Sequence, residues 1–455
     1  MSDLLDVAHR RTQFLSGLYG ELLENGIHYF FPGATLDRIS HGSREIASLV
    51  RAEPTGTQLE FGWMGSGYVL SLGTEFTEHE LQLLRSIAMV LTARYELLTK
   101  DALAAQTFQL FRGLPEDRYV SAFLDPSPHL SGDAVAAVPD RIADAIEVLR
   151  TSSMSTYENR RIATGVLLFG SQPEPCHEPP STPPNAIRYS HLLTSIRSFN
   201  RLCDGLQTLA LVDRDGFLAE LIDIRDWAEP YAEMPFAVPA STRYAPHCRA
   251  TLCGGHVCLI LSPNGEIKVY AEGVPVFRFL DGRWRLVDAR HRYYMWKHAL
   301  KQYKLGERLF SVGLNLTESR RGALFVVLDD PESVRQLVAS PDLLANRNHN
   351  AIAEQISSKD QLHYLLSGKS IFDIPASVLE NIARIDGAVV LSPEGNLLAF
   401  GAILHHRSSH EAMNRPVEGG RTTAALAASR YGTVLKISED GLISMFRNEH
   451  CLWEM

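Results

Sequence analysis

Four segments in the C-terminal part of the chain have the pattern of a two-stranded hairpin, and they limit the fold more than any other feature. Each has apolar residues on both sides of a short turn that contains glycine, a residue that such turns favour. The segments are TLALVDRDGFLAELIDI (208–224), HVCLILSPNGEIKVYAEG (256–273), GAVVLSPEGNLLAFGAIL (387–404) and TVLKISEDGLISMF (433–446). Helical segments lie between them, so the sequence predicts an α/β fold.

Two of these hairpins share the turn Leu-Ser-Pro-x-Gly, at 261–265 and 391–395. One interpretation is a duplicated structural unit. The other, which we favour from sequence alone, is that proline and glycine are what such turns require.

The N-terminal part ends in a strand-strand-helix pattern. Residues 57–63 and 67–72 read as strands, and Thr77 and Glu80 have the spacing of a capping box at a helix start. These 40 or so residues resemble the last third of a GAF sensor domain. A generic α/β domain is the other interpretation.

A proline-rich stretch, SQPEPCHEPPSTPPN at 171–185, has no apolar period and reads as an exposed linker. It suggests four parts along the chain. They are an N-terminal α/β domain (1–170), a linker (171–187), a middle α/β region (188–317) and a C-terminal domain (318–455).

Composition excludes several classes of function. The formal net charge is −9, which argues against nonspecific nucleic-acid binding as the main activity, although a local basic site stays open. No apolar run approaches the ~18 residues of a spanning helix, and the start MSDLLDVAHRRTQ has no apolar signal region. Six cysteines are too few for a disulfide scaffold, so we expect a cytoplasmic protein that does not engage a membrane.

Cys248, Cys253 and Cys258 lie close together in the sequence, beside His247 and His256. Zinc sites favour tighter cysteine pairs, and HVCLIL reads as a buried strand. We therefore favour ordinary core cysteines over a metal site.

The last 135 residues contain an ordered set of polar motifs. Asp386 stands at the mouth of a predicted strand, where a carboxylate can hold a divalent cation together with phosphates. The stretch GGRTTAALAASRYG (419–432) reads as a glycine loop entering a helix, whose N–H groups attract anions. Gly419 and Gly420 allow close backbone approach, and the forked guanidinium of Arg421 suits phosphate. A turn, a helix cap and a solvated arginine are the structural alternatives.

That ordered set resembles the diadenylate cyclase (DAC) family, also called the DisA N-terminal domain, over about residues 318–450. The matches are RGALFVVLDD, the Asp-Gly-Ala triplet, FGAIL, the glycine-arginine run, and a Ser-Glu-x-x-Gly-like turn with one residue fewer. The residues that the resemblance marks for nucleotide binding are Gly387, Ala388, Gly420, Arg421, Thr422, Thr423 and Glu439, with Asp386 as metal ligand and, in an active enzyme, catalytic residue. The resemblance implies a DAC-like mixed sheet with flanking helices, a homo-oligomer, ATP, and Mg²⁺ or Mn²⁺.

The chain departs from the family where phosphate is held. The family has Arg-His-Arg, but this chain has Arg421, Thr422 and Thr423. Losing a donor to a transferring phosphoryl group costs several kcal/mol of transition-state stabilisation, whereas binding demands less. We therefore expect a sensor of an adenine nucleotide or cyclic dinucleotide, in bacterial signalling or phage defence with an effector protein. The alternatives are an active diadenylate cyclase or related nucleotidyltransferase, and a scaffold that only dimerises.

An Arg-His-Arg run does occur elsewhere, at Arg290, His291 and Arg292. It is followed by aromatic residues and not by Ala-Ala, and no Asp-Gly-Ala precedes it. We interpret it as the basic start of a helix, either solvated or facing the cleft or a dimer interface.

Overall fold

The computed structural model describes residues 2–39, 56–99, 111–130, 138–196, 199–344, 363–405 and 419–455. They belong to two compact units. Unit 1 comprises Met1–Met234 and Pro246–Asp288, and unit 2 comprises Pro235–Ala245 and Ala289–Met455. Both contain mixed sheets with helices, so the protein has the predicted α/β fold.

Unit 1 begins with helices and a small antiparallel sheet of order β1-β3-β2. The elements are α1 (Ser2–Phe30), β1 (Thr35–Ile39), β2 (Gln58–Trp63), β3 (Ser66–Ser71), α2 (Glu78–Thr99), α3 (Pro115–Leu124) and α4 (Arg141–Ser153). The predicted capping box is present: Thr77 N–H donates to Glu80 Oε2 at 2.9 Å, and Glu80 N–H donates to Thr77 Oγ1 at 3.2 Å. The two predicted strands are β2 and β3.

A seven-stranded sheet of order β12-β11-β10-β9-β6-β7-β8 forms the rest of unit 1, beside a two-stranded ribbon. The ribbon is β4 (Thr156–Tyr157) with β5 (Arg160–Arg161), and the sheet contains β6 (Thr164–Leu168), β7 (Thr208–Val212), β8 (Leu218–Asp223), β9 (Val257–Leu261), β10 (Ile267–Ala271), β11 (Val274–Leu280) and β12 (Arg283–Leu286). Three short helices accompany it: α5 (Phe199–Leu202), α6 (Ile224–Ala228) and α7 (Ala245–Arg249).

The proline-rich stretch lies inside unit 1 and does not separate two domains. The strand before it, β6, pairs in parallel with the strand after it, β7, so the stretch belongs to a crossover within one sheet. Most of its residues are exposed, as expected. Thr182 nevertheless donates a hydrogen bond to the Asp213 carboxylate in the β7–β8 turn. Composition indicated the exposure, but the sheet pairing depends on contacts distant in sequence.

Unit 2 contains a six-stranded sheet of order β15-β14-β13-β16-β17-β18. Its elements are α8 (Ala289–Ala299), α9 (Tyr303–Glu318), β13 (Ala323–Leu328), α10 (Val334–Leu337), α11 (Ala376–Ala383), β14 (Ala388–Leu391), β15 (Leu397–Ala402), α12 (Gly420–Ala428), β16 (Gly432–Ile437), β17 (Ile443–Arg447) and β18 (His450–Glu454). Ala425 and Ala428 of α12 are fully buried in the core cluster that covers one face of this sheet. Small side chains let that helix pack closely, which brings its first turn to the sheet edge.

The two large sheets share one topology. In each, the first strand pairs in parallel with the second, which continues as a hairpin, and pairs antiparallel with a later hairpin. The registers correspond: Val166 pairs with Ala210 and Leu259 in unit 1, as Phe325 pairs with Val389 and Leu435 in unit 2. The chain therefore contains two copies of one fold, of which unit 1 adds β12 at the edge.

The corresponding hairpins are not the two that share Leu-Ser-Pro. The hairpin at 257–271 corresponds to 432–447, and the hairpin at 388–402 corresponds to 208–223. All four turns are closed by the same pair of backbone bonds, for example Gly265 N–H to Ser262 O at 2.9 Å and Gly441 N–H to Ser438 O at 3.1 Å. The shared proline and glycine therefore indicate a common turn type, whereas the duplication is seen in the strand registers.

Candidate functional site

The starts of β13 and β14 and the end of β16 lie side by side in the unit 2 sheet. We refer to this row of strand ends as the edge of the sheet. Because β13 and β14 are parallel with Phe325 opposite Val389, Gly322 is level with Asp386. Because β13 and β16 are antiparallel with Ala323 opposite Ile437, Gly322 is also level with Ser438. The Asp386–Gly387 pair and the β16–β17 turn thus flank Gly322. Two of the predicted motifs, far apart in sequence, thus lie at the same end of the sheet, on either side of β13.

Asp386 is exposed, and its Oδ1 accepts a hydrogen bond from Gly387 N–H at 3.1 Å. Gly387 has φ of +112°, and a Cβ there would lie 2.5 Å from the Gly401 carbonyl carbon of β15. Glycine is therefore required by the close neighbouring strand, whether or not a ligand binds. Ala388, the next predicted residue, is buried as the first residue of β14.

Helix α12 places Arg421 over the same edge. Its guanidinium lies against Gly322, where any Cβ would collide with Nη1. Arg421 Nη1 is 2.9 Å from Glu439 Oε1, and the two side chains are 39% and 67% exposed. Both are predicted site residues, and the structure brings them into contact as an exposed ion pair. Such pairs contribute about 0.2–1 kcal/mol, so an anion can compete for the arginine at little cost.

The first turn of α12 differs in one respect from the sequence-based expectation. The N–H groups of Thr422 and Thr423, expected to face phosphate, both donate to Gly419 O, at 3.1 and 3.3 Å. Gly419 is the N-cap with φ of +92°, so the turn closes on its carbonyl. Gly420 has open space where a Cβ would stand. An anion would therefore meet the amides of Gly420 and Arg421 sooner than those of the threonines.

Two cations near this edge were not among the predicted residues. Lys436 of β16 donates from Nζ to Thr422 Oγ1 at 3.1 Å. The guanidinium of Arg320 donates to Asp440 O in the β16–β17 turn. A lysine within the apolar run TVLKI was the available signal for Lys436, whereas only the hydrogen bond to Asp440 O reveals Arg320. The edge thus combines three cations with the carboxylates of Asp386 and Glu439.

This arrangement suits a phosphate better than a metal ion alone. Among the described residues, no group of three or more His, Cys, Asp or Glu side chains could hold a metal. Asp386 and Glu439 offer hard carboxylate oxygens of the kind Mg²⁺ prefers, but a cation would need phosphate oxygens to complete its shell.

The cysteine and histidine cluster of unit 1 follows the core interpretation. Cys248 and Cys258 are buried, and burial raises the pKa of the Cys258 thiol. His247 is fully buried with Nε2 3.1 Å from Gly205 O. Cys253 is partly exposed, and in the described ranges no group of three or more His, Cys, Asp or Glu side chains here could hold a metal ion.

His256 instead belongs to a buried network in unit 1. Its Nδ1 accepts a hydrogen bond from Gly170 N–H at 2.8 Å, so the ring proton lies on Nε2, 3.0 Å from Glu174 Oε2. Tyr231 O–H and Cys176 N–H both donate to Glu174 Oε1. Burial lowers the pKa of His256, and the Glu174 charge offsets part of that effect. Burial raises the pKa of Glu174, but the Tyr231 hydrogen bond and its other partners outweigh this and hold it below its usual range.

The unit 1 edge equivalent to the candidate site also has an Asp-Gly pair. Asp204 Oδ1 accepts hydrogen bonds from the N–H groups of Leu206, Gln207 and Thr208 at 2.8–3.0 Å. Burial raises the Asp204 pKa, but these donors outweigh it and keep the pKa low. This carboxylate is thus engaged by its own loop.

The Arg-His-Arg run starts α8, as predicted, and Arg292 donates to Glu454 O in β18. That strand is the sheet's last, at the side opposite β14 and β15. The run therefore does not stand in for the missing residues of the Arg421 motif.

Comparisons with known proteins do not assign the chain to a family. No family model matches the chain, and no curated protein matches it. Among solved structures, a hypothetical membrane spanning protein from Bacillus cereus is 20% identical, with 33% of this chain and 67% of that chain covered and a TM-score of 0.23. A TM-score this low does not establish a shared fold. In the described part of this chain, no helix is long and apolar enough to cross a membrane.

Proposed function

We propose that unit 2 binds an adenine nucleotide or cyclic dinucleotide at the Arg421 edge and acts as a sensor in bacterial nucleotide signalling. The main support for this proposal is the position of Arg421. Its guanidinium lies over Gly322 and beside Glu439, at the level where Asp386 precedes β14. A helix N-terminus with a forked cation is suited to phosphate, because both supply N–H donors and positive potential.

Binding would replace one partner of Arg421 by another. A phosphate would take the guanidinium from Glu439, whose side chain is 67% exposed and can move into solvent. The released carboxylate, with Asp386, would be free to share Mg²⁺ or Mn²⁺ with the bound phosphates. Lys436, held at Thr422 Oγ1, would add positive potential from the sheet.

Sensing is favoured over cyclisation because the first turn of α12 carries one cation where the resembling family has two and a histidine. An active diadenylate cyclase remains the alternative function, since Asp386 is exposed and available. A homo-oligomer and an effector protein are further parts of this proposal that the family resemblance supports. The resemblance of the N-terminal strands and helix to a GAF domain extends it to a second sensor module.

Binding is tested by calorimetry with ATP and with cyclic di-AMP on the wild type, Arg421→Ala and Arg335→Ala. Arg421→Ala should weaken binding by more than tenfold, about 1.4 kcal/mol. Arg335 is a matched control, because its side chain is 70% exposed and pairs with Glu332 one turn away. Equal affinity of wild type and Arg421→Ala would place the site elsewhere.

Catalysis is tested separately by incubation with labelled ATP and Mg²⁺ or Mn²⁺, followed by chromatography for cyclic products. A sensor should give little or no cyclic di-AMP. Rapid turnover that Asp386→Asn abolishes would establish the cyclase alternative instead.

A further inference from the structure

The end of α8 and the start of α9 present three adjacent exposed rings. Tyr294 is 61% and Tyr303 is 53% exposed. The Tyr294 and His298 ring centroids are 4.0 Å apart, and those of His298 and Tyr303 are 5.6 Å apart. Aromatic side chains of this size usually bury their area, so a contiguous exposed set marks an interaction surface.

The other aromatic residues of α8 already supply its core contacts. Trp296 is fully buried and donates from Nε1 to Gly306 O at 2.9 Å. Tyr293 packs on Phe310 with ring centroids 5.0 Å apart. The helix is therefore anchored through its inner face, and the outer rings are not needed for that packing.

Positive charge surrounds the exposed rings. Residues 289–306 contain five arginines and lysines and no aspartate or glutamate, in a chain whose formal net charge is −9. Lys297 Nζ lies 5.1 Å from the Tyr303 ring centroid. Lys301 Nζ donates to Asp329 O at 3.3 Å, and the Asp329 carboxylate pairs with Arg447 at 3.0 Å. The neighbouring carboxylate is thus neutralised, while Glu307, one turn after Tyr303, is the acidic residue next along α9.

We propose that this surface binds a single-stranded polynucleotide, with bases stacked on the rings and phosphates paired with the lysines. We name it the α8–α9 surface, and it consists of Tyr294, Lys297, His298, Lys301, Tyr303 and Lys304. Stacking on aromatic rings beside a basic track is how proteins hold single strands without sequence preference. A duplex keeps its bases stacked on each other, so only an unpaired strand uses the rings. The proposal does not depend on nucleotide binding at Arg421.

The experiment is fluorescence anisotropy of labelled oligo(dT), oligo(rU) and a duplex of equal length, at several salt concentrations. Tyr294→Ala/Tyr303→Ala should weaken single-strand binding by at least tenfold, since each stacked base contributes substantially. Removing the charges of Lys297, Lys301 and Lys304 together should make the slope of log Kobs against log salt concentration shallower by about 2. The reason is that each phosphate contact on a single strand contributes about 0.7 to that slope. Comparing oligo(dT) with oligo(rU) tells which polynucleotide the surface takes.

Tyr364→Ala is the matched control, because Tyr364 is 67% exposed in the same unit but outside the α8–α9 surface. It should bind the oligonucleotides as the wild type does. The proposal is overturned if the wild type binds no oligonucleotide near 0.1 M salt. It is also overturned if the tyrosine variant keeps full affinity, or if the duplex binds as tightly as the single strands.

Discussion

In unit 1 three backbone N–H groups donate to the aspartate of the Asp-Gly pair before β7, whereas in unit 2 one donates to the aspartate before β14, and both aspartates are exposed. Three backbone N–H groups donate to Asp204, and the buried His247 reaches the Gly205 carbonyl. Asp386 accepts from the adjacent Gly387 N–H. The same topology thus has an aspartate held by its own loop in one copy and by a single adjacent N–H group in the other.

The acid–base side-chain pairs of the two units also differ in exposure. The Glu174–His256 pair of unit 1 is 4% and 0% exposed, while the Arg421–Glu439 pair of unit 2 is 39% exposed at Arg421. A buried pair with further hydrogen bonds fixes a loop, because removing one partner leaves a polar group stranded. An exposed pair costs little to open. The Glu174–His256 pair therefore fixes local structure in unit 1, whereas the Arg421–Glu439 pair of unit 2 can open at little cost.

The largest expected effect comes from breaking the buried pair. His256→Ala should destabilise unit 1 by about 3 kcal/mol, because Glu174 keeps its burial and loses its ring partner. Glu439→Ala, the exposed counterpart, should cost at most about 1 kcal/mol. Hydrogen exchange of the β6 and β9 amides, against those of β13 and β16, reports the two units separately. Similar losses from both variants would contradict the distinction.

The two Asp-Gly pairs should respond differently to loss of the carboxylate. Asp204→Ala removes the acceptor of three backbone N–H groups and should cost about 1–2 kcal/mol, the scale of a lost cap. Asp386→Ala should change stability by about 0.5 kcal/mol or less, as surface substitutions do. Urea denaturation measures both. A larger cost at Asp386 would mean that the unit 2 edge is itself structural.

The shared turns should respond alike. Gly265 and Gly441 have φ of +82° and +80°, so alanine at either position should cost about 1 kcal/mol through left-handed strain. The Gly441 variant should lose slightly more, because its Cβ would lie 3.0 Å from Arg320 Nη1, against 3.5 Å from Arg161 Nη1 at Gly265. Thermal unfolding of the two variants measures this. Costs that differ widely would argue against equivalent turns.

Lowering the pH should reduce the stability of unit 1 gradually, without the same loss in unit 2. The pKa of His256 is lowered by burial, so its neutral form stabilises the fold fully above the unfolded pKa of about 6.5. That contribution is lost as pH falls through the lower folded value, and the low pKa of Glu174 acts in the same direction further down. Exchange protection of β9 should therefore decline below about pH 6.5 sooner than that of β16. Parallel declines would show that the network does not control unit 1.

Local patterns predicted the elements but not their pairing. The hairpins and the Thr77–Glu80 capping box follow from turn chemistry and spacing, which act within a few residues. The grouping of Arg421 and Glu439 at one candidate site was predictable from motif order, and the two side chains are in contact. The contact of Glu174 with His256 was not, because those residues are distant in the chain and only the fold joins them. Lys436 could not be assigned to the site because its one signal, a lysine within an apolar strand, does not by itself indicate a ligand.

The order of the strands also affects how unit 2 is made. Strand β13 is buried along its whole length, yet its antiparallel partner β16 follows it by about 110 residues. At roughly 5–20 residues per second, a ribosome needs about 5–20 s to supply that partner. During that interval the strand ALFVVL has an unpaired apolar edge. Nascent unit 2 is thus exposed to aggregation in a way that a locally paired sheet is not, and chaperone supply should limit its yield.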